Sequence, residues 1–326
     1  MKKLLSVFLA CVLAIGTLSA CGSSSIKSDN DDGKLQIVTT IFPAYDWAKN
    51  VLGDTTTAEV SMLIDDGIDL HSYQPTPEDI LQISSCDLFI YVGGESDEWV
   101  EDALKEAINE NMIVINLSDV LGESLKEEEL VEGMEGEEDE EGEEEEAEYD
   151  EHVWLSLKNA ATLTEAISEG IQTMDPDNAS TYEANTTSYL EELSSLDDKY
   201  KEAVANGNVS TILVGDRFPF RYLVDDYDLD YYAAFVGCSA ETEASFETIT
   251  FLAEKMDELD LNYILVIDGS DKELATTIVE NTTNKDQEIL VLNSMQSVSA
   301  DDVANGTTYL SIMEENLDVL STVLKN

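Results

Sequence analysis

Asp175–Val204 reads DPDNASTYEANTTSYLEELSSLDDKYKEAV. Asp175-Pro176 has the form of a helix start, a capping side chain followed by a residue with preset φ. Tyr182, Tyr189, Leu193, Leu196 and Tyr200 then recur at spacings of seven, four, three and four. That period places them on one face of a helix. The pattern runs on to Val204, and Gly207 follows it. A helix of about 30 residues is long for a globular domain. It lacks a coiled-coil charge pattern, so it reads as a connector packed along two flanking domains.

The flanks carry strand-helix alternation on both sides. Leu35–Thr40, Glu59–Ile64, Asp87–Val92 and Met112–Leu117 are short β-rich runs. Tyr45–Leu52 and Trp99–Ile108 have helical spacing between them, and Thr76-Pro77-Glu78-Asp79 is a capped helix start. After the connector, strands are expected at Ser210–Val214, Tyr231–Phe235, Tyr263–Ile267 and Ile289–Leu292. Helices are expected near Phe220–Asp226, Glu243–Glu258, Lys272–Glu280 and Thr308–Leu324. Such alternation implies parallel sheets covered on both faces. The expected fold is α/β, two lobes with mostly parallel sheets joined by one long rigid helix. Residues 35–174 form the first lobe, 175–206 the linking helix and 207–326 the second lobe. Ligands in open α/β sheets bind beyond the carboxyl ends of the strands, so a cleft is expected between the lobes.

The 326 residues carry 71 acids against 16 bases, a formal charge of −55. Phosphate backbones need clustered Lys and Arg, so nucleic acid is excluded as a partner. A polyanion attracts cations instead. Much of the charge sits in Glu127–Glu151, where seventeen of 25 residues are acids. That run cannot build a core and is expected to be disordered or a long exposed loop. It reads either as a solvated insertion or as a collector of divalent cations.

At the N-terminus Lys2 and Lys3 precede an apolar run, LLSVFLACVLAIGTL, that reads as a signal peptide over residues 1–20. Leu18-Ser19-Ala20-Cys21 resembles a bacterial lipobox. The resemblance implies cleavage before Cys21 and lipidation of its sulfur. The chain would then sit on the outer face of the cell membrane, with 21–34 as a tether. Cys86 and Cys238 remain, in a compartment that permits disulfides. A mutual bond and two separate buried thiols are both open, the latter favoured.

The chain has only two histidines, His71 and His152. His71 lies between the second strand and the next helix. His152 lies where the acidic run returns to folded pattern. Neutral imidazole is the commonest ligand for zinc-like ions. Two histidines at loop positions in one lobe are therefore candidate metal ligands.

Thr39-Thr40-Ile41-Phe42-Pro43, Asp69-Leu70-His71-Ser72-Tyr73-Gln74-Pro75-Thr76-Pro77, Gly93-Gly94-Glu95-Ser96-Asp97-Glu98-Trp99, Asp150-Glu151-His152-Val153-Trp154 and Tyr309-Leu310-Ser311-Ile312-Met313 together resemble the zinc/manganese substrate-binding proteins of ABC transporters. The resemblance covers most of the mature chain. It implies two lobes bridged by a long helix, a metal between them, and delivery of Zn²⁺ or Mn²⁺ to a permease by a monomeric, non-enzymatic receptor. It also implies two further ligands from the second lobe. There the chain departs from the pattern. Arg217 occupies the position of the third ligand, and arginine cannot coordinate. Asp216 beside it, Asp268, and Asn293 at the fourth position are the tentative substitutes. Asp271 is a further cleft residue. Arg217 reads either as an ion-pair partner of a nearby carboxylate or as the grip on an anionic ligand. A metallohydrolase is the remaining alternative, and neither HExxH nor Gly-x-Ser-x-Gly is present to support it.

Overall fold

The computed structural model describes residues 33–135, 149–239 and 244–326. The lipobox, most of the tether and the most acidic part of the central run lie outside them. Two sheets form, each parallel throughout. β1 (Leu35–Thr39), β2 (Ala58–Met62), β3 (Leu88–Tyr91) and β4 (Ile113–Asn116) are ordered β2-β1-β3-β4. β5 (Thr211–Phe218), β6 (Asp230–Val236), β7 (Tyr263–Val266) and β8 (Glu288–Val291) are ordered β6-β5-β7-β8. The two orders are the same. In each, the chain moves to one side of its first strand and then to the other. The resulting switch point opens a crevice at the carboxyl edge.

The helices follow the sequence signals. α1 (Phe42–Leu52) starts with Pro43 in its first turn, and α2 (Pro77–Ser85) starts with a capping box between Thr76 and Asp79. α3 is Trp99–Lys105, α4 Leu117–Leu121 and α5 Leu157–Met174, capped by Ser156. The connector is α6 (Ala179–Ala205), 27 residues and about 40 Å long. Asp175 does not cap it. Pro176–Asn178 form a single tighter turn first, and the Asp175 carboxylate accepts hydrogen bonds from Thr57, Asn178 and Tyr182. The buried residues of α6 include all five that set the expected face.

α7 (Arg221–Tyr227), α8 (Phe246–Leu259), α9 (Glu273–Asn281), α10 (Ala300–Ala304) and α11 (Tyr309–Lys325) complete the chain. α6 packs on α1 and α5 of the first lobe and on α7 and α11. α11 returns to touch α1 as well, and its Tyr309 hydroxyl donates to the Trp154 carbonyl at 2.7 Å. Trp47, Trp154, Tyr200 and Tyr309 are all fully buried around this junction. At about 25 cal/mol per Å² of apolar surface, rings of this size dominate the energy that holds the lobes together. No helix among the described residues is long and apolar enough to cross a membrane.

The acidic run is not one free loop. Its stem crosses from the first lobe to the second. Glu127 bridges Tyr149, and the Asp150 amide donates to the Lys126 carbonyl. Glu129 then pairs with Arg221 at 3.1 Å, and the Glu135 amide donates to the Ala234 carbonyl on β6. The stem 127–135 is thus an ordered segment laid on the second sheet, while Glu127, Glu129, Leu130 and Glu132 stay exposed as expected.

Candidate metal site

His71 sits in a single helical turn, Leu70–Ser72, whose start is capped by the Asp69 carboxylate on the His71 amide at 3.0 Å. Its ring Nδ1 meets the Ser96 hydroxyl at 2.7 Å and lies 3.7 Å from Glu151. His152 is fully buried. Its Nδ1 meets Asp150 Oδ1 at 2.9 Å, and the same carboxylate accepts its backbone amide at 2.8 Å. With both Nδ1–H groups donating, each Nε2 is left with a lone pair directed inward. The two Nε2 atoms are 3.1 Å apart. Two nitrogens around a tetrahedral Zn²⁺ are about 3.3 Å apart, so the spacing is that of two ligands of one ion. Carboxylate or hydroxyl support behind each ring is the usual device for fixing a ligating tautomer.

The charge on the pair is divided unequally. Burial, then the proximity of His152, pushes His71 down to about 3. Burial also works against a charged His152, but Asp150 outweighs it and holds this ring above its ordinary value. A divalent ion entering between the rings would take up the two facing lone pairs.

Glu151 completes the first-lobe side. Its Oε1 accepts the Ser96 amide at 2.8 Å, while its buried Oε2 has no hydrogen-bond partner. Gly94, at φ +99°, makes room for it, since a Cβ there would meet Glu151 Oε1 at 2.4 Å. Burial raises the Glu151 carboxyl above its usual range.

The second-lobe residues expected from the sequence are placed otherwise. Arg217 pairs with Asp69 across the cleft at 2.5 Å. Burial pushes Asp69 up, but the guanidinium overrides it and the net shift is downward. An anionic-ligand grip has thus lost its cation to Asp69. Asp216 accepts the Arg217 amide at 2.9 Å, and both residues lie near the end of β5 on the cleft wall. Asp268 accepts from Ser294 through its amide and hydroxyl, at 2.6 and 2.7 Å, and from the amide and hydroxyl of Ser297. It ties down the 294–297 turn. Asn293 Oδ1 accepts the Met295 amide at 2.8 Å and so folds back on its own turn. Asp271 accepts the Glu273 amide at the start of α9. Asp216, Asp268 and Asp271 line the same cleft pocket as His71, but among the described residues none of the four hydrogen-bonds to either histidine ring.

Two unforeseen side chains join the histidines. Gln296, held in the turn that Asp268 organises, places its amide Nε2 at 2.9 Å from His152 Nε2, while its buried Oε1 has no partner. Amide nitrogen and oxygen exchange places by a half turn, so Gln296 can present an oxygen to the same point. Cys238 follows β6, and its Sγ lies with the two histidine nitrogens in a set whose ligand atoms are all within 4.8 Å of one another. Cys86 is remote from this chemistry. Its thiol lies buried against Ile83 O and Met112 Sδ, and both cysteines are free. Cys238 was legible by the rule that singled out His71, since it too follows a strand's carboxyl end. The favoured reading of two separate thiols holds, but it treated Cys238 as a packing residue and not as a ligand.

A family model described as zinc-uptake complex component A, periplasmic (ZnuA), matches residues 37–323. The zinc-binding lipoprotein AdcA of Streptococcus pneumoniae is 33% identical over 98% of this chain, which spans 60% of that relative's length. The high-affinity zinc uptake system protein ZnuA of Bacillus subtilis is 31% identical, over 98% of this chain and 97% of its own. The Zn(II)-bound ZnuA-like domain of the pneumococcal AdcA superposes with a TM-score of 0.70 at 30% identity, covering 90% of this chain and all of that one. The chain belongs to the ZnuA family of zinc-uptake components.

Proposed function

We propose that this chain is an extracytoplasmic receptor that captures Zn²⁺ between its lobes and hands it to an ABC permease for import. The observation that carries the reading is the 3.1 Å approach of two Nε2 atoms, each backed at Nδ1 by a fixed oxygen. Of the relatives named above, one is a zinc uptake protein and the other a zinc-binding lipoprotein, which supports Zn²⁺ as the cargo. The reading includes attachment to the outer face of the membrane through lipidated Cys21, a monomeric receptor, and no catalysis. The same nitrogens could take Mn²⁺, so the histidines alone do not choose the ion.

Capture needs little motion. The incoming cation takes up the two facing lone pairs, while Asp150 and Ser96 keep both rings aimed. α6 limits hinge opening, because bending a continuous helix breaks backbone hydrogen bonds. Metal analysis of the purified full chain tests the reading. One equivalent of Zn²⁺ is expected in the wild type and none retained at nanomolar free metal in His71→Ala or His152→Ala. A wild type that takes up no transition metal under any loading condition would sink it.

A further inference from the structure

We propose that Cys238 Sγ is the third ligand of this centre, making it a two-imidazole, one-thiolate site that favours thiophilic divalent ions over Mn²⁺. This rests on the reading of His71 and His152 as the nitrogen ligands. Among the described residues, Cys238 is the side chain that joins the two histidines in a group of His, Cys, Asp or Glu ligand atoms, all within 4.8 Å. A tetrahedral ion with Zn–N near 2.05 Å and Zn–S near 2.3 Å sets edges of about 3.3–3.6 Å. Closing the group onto an ion therefore takes a shift of about 1 Å, within the reach of a side-chain rotation.

The backbone around Cys238 is arranged for that approach. Gly237 packs directly on the His152 ring, where a Cβ would lie 3.1 Å from Cε1 and Nδ1 and 3.0 Å from the Phe218 carbonyl. A larger residue there would crowd both the imidazole and the Phe218 carbonyl. The Cys238 amide donates to Glu128 Oε1 at 3.2 Å, so the stem of the acidic run holds the turn from the other side. Of the second-lobe oxygens, both of Asp268 are tied to the 294–297 turn, and Asp216 accepts the Arg217 amide at Oδ1. Gln296 remains beside His152 as a neutral donor.

A thiolate changes the selectivity. Soft sulfur suits Zn²⁺ and its analogues Co²⁺ and Cd²⁺, while Mn²⁺ prefers hard oxygens. On binding, the S–H bond breaks, the electron pair forms the metal–sulfur bond and the proton leaves to solvent. No oxidation state changes.

The test uses the purified full chain loaded with Co²⁺, then with Zn²⁺ and Mn²⁺ in competition. The wild type should show thiolate-to-cobalt charge-transfer absorption in the near ultraviolet, and Cys238→Ser should lose it. Zn²⁺ affinity should fall about 100-fold in Cys238→Ser, with Mn²⁺ affinity changed by less than about threefold. A Co²⁺-loaded wild type without the band, with Cys238→Ser binding Zn²⁺ as tightly as wild type, overturns the thiolate while leaving the receptor reading intact if His71→Ala still abolishes binding. Tight binding that survives both histidine substitutions would instead overturn the receptor reading. The wild-type spectrum needs no variant, so poor folding of Cys238→Ser would not blunt the test.

Discussion

The two sheets share one strand order, yet they furnish different chemistry at the same edge. The first supplies two imidazoles, each braced by an oxygen on its far nitrogen. The second supplies an arginine turned away into an ion pair, a thiol, and an amide with a free oxygen. Equal topology fixes where a site can be, because the switch point recurs. It does not fix the donors. These depend on what each carboxyl-edge loop carries and on which of its polar groups the loop itself uses up.

The sharpest way to probe the first half is to remove a brace and leave the ligand. Asp150→Ala deletes the acceptor for both the amide and Nδ1 of fully buried His152. Zn²⁺ affinity should fall about 10- to 100-fold, the usual cost of losing an outer-shell carboxylate. Ser96→Ala, which removes a neutral acceptor from His71, should cost only a few-fold. Competition against a chelator reads both. If the two losses were equal, the two histidines would not differ in the way their surroundings imply.

The legibility of the sequence divides along the same line. The strands, the long helix and both histidines could be read because periodicity and loop position are local properties. α6 emerged with the expected buried face, although its first turn begins later than Asp175 suggested. The donors of the second half could not be ranked, because an oxygen's availability depends on what packs near it. Asp268 looks like a ligand in sequence, but four hydrogen bonds from Ser294 and Ser297 consume it. Gln296 gave no signal at all, since an uncharged amide three residues past Asn293 is ordinary in a turn. Cys238 gave one that pointed elsewhere.

The join between the halves is open to a paired test. Arg217 and Asp69 are about four-fifths buried and pair across the cleft. Arg217→Ala leaves Asp69 as an unpaired carboxylate, and Asp69→Asn leaves Arg217 as an unpaired cation in the same cleft as His71. Each should cost about 1–2 kcal/mol of stability, below the range for fully buried pairs because some solvent reaches both groups. Metal affinity should separate them. Asp69→Asn should weaken Zn²⁺ about 10-fold, because a bare guanidinium repels the ion, whereas Arg217→Ala should change it less than threefold. Equal effects would mean that the pair acts only as a clamp.

A smaller effect isolates the shared junction from the metal. Asp46 on α1 is buried beside Tyr189 of α6, and burial raises its carboxyl to about 6 from the usual 3.8. A raised folded-state value means the protonated form is favoured on folding. The contribution is therefore fully present below about 3.8 and lost as pH rises through about 6. The side chain borders an open groove, so screening reduces the effect to about 1 kcal/mol. Wild-type stability relative to Asp46→Asn should fall by that amount between pH 4 and pH 8 in denaturant titrations. A flat difference would show that folding leaves the Asp46 carboxyl unshifted.

The smallest expected change comes from the acidic run, and it separates stem from span. Glu128 and Glu135 anchor to Cys238 and to β6, whereas residues 136–148 lie between Glu135 and the Tyr149 bridge. Removing 136–148 should leave Zn²⁺ affinity within about twofold of wild type, because a run of acids acts on encounter rate more than on a bound state held by His71 and His152. Capture at scarce metal and low salt should slow, and the slowing should vanish at high ionic strength. Removing 127–148 instead takes away the Glu128 support for the Cys238 turn, and affinity itself should then drop. If both deletions behaved alike, the stem would contribute nothing to the second half of the site, and the difference between the two sheets would lie in their loops alone.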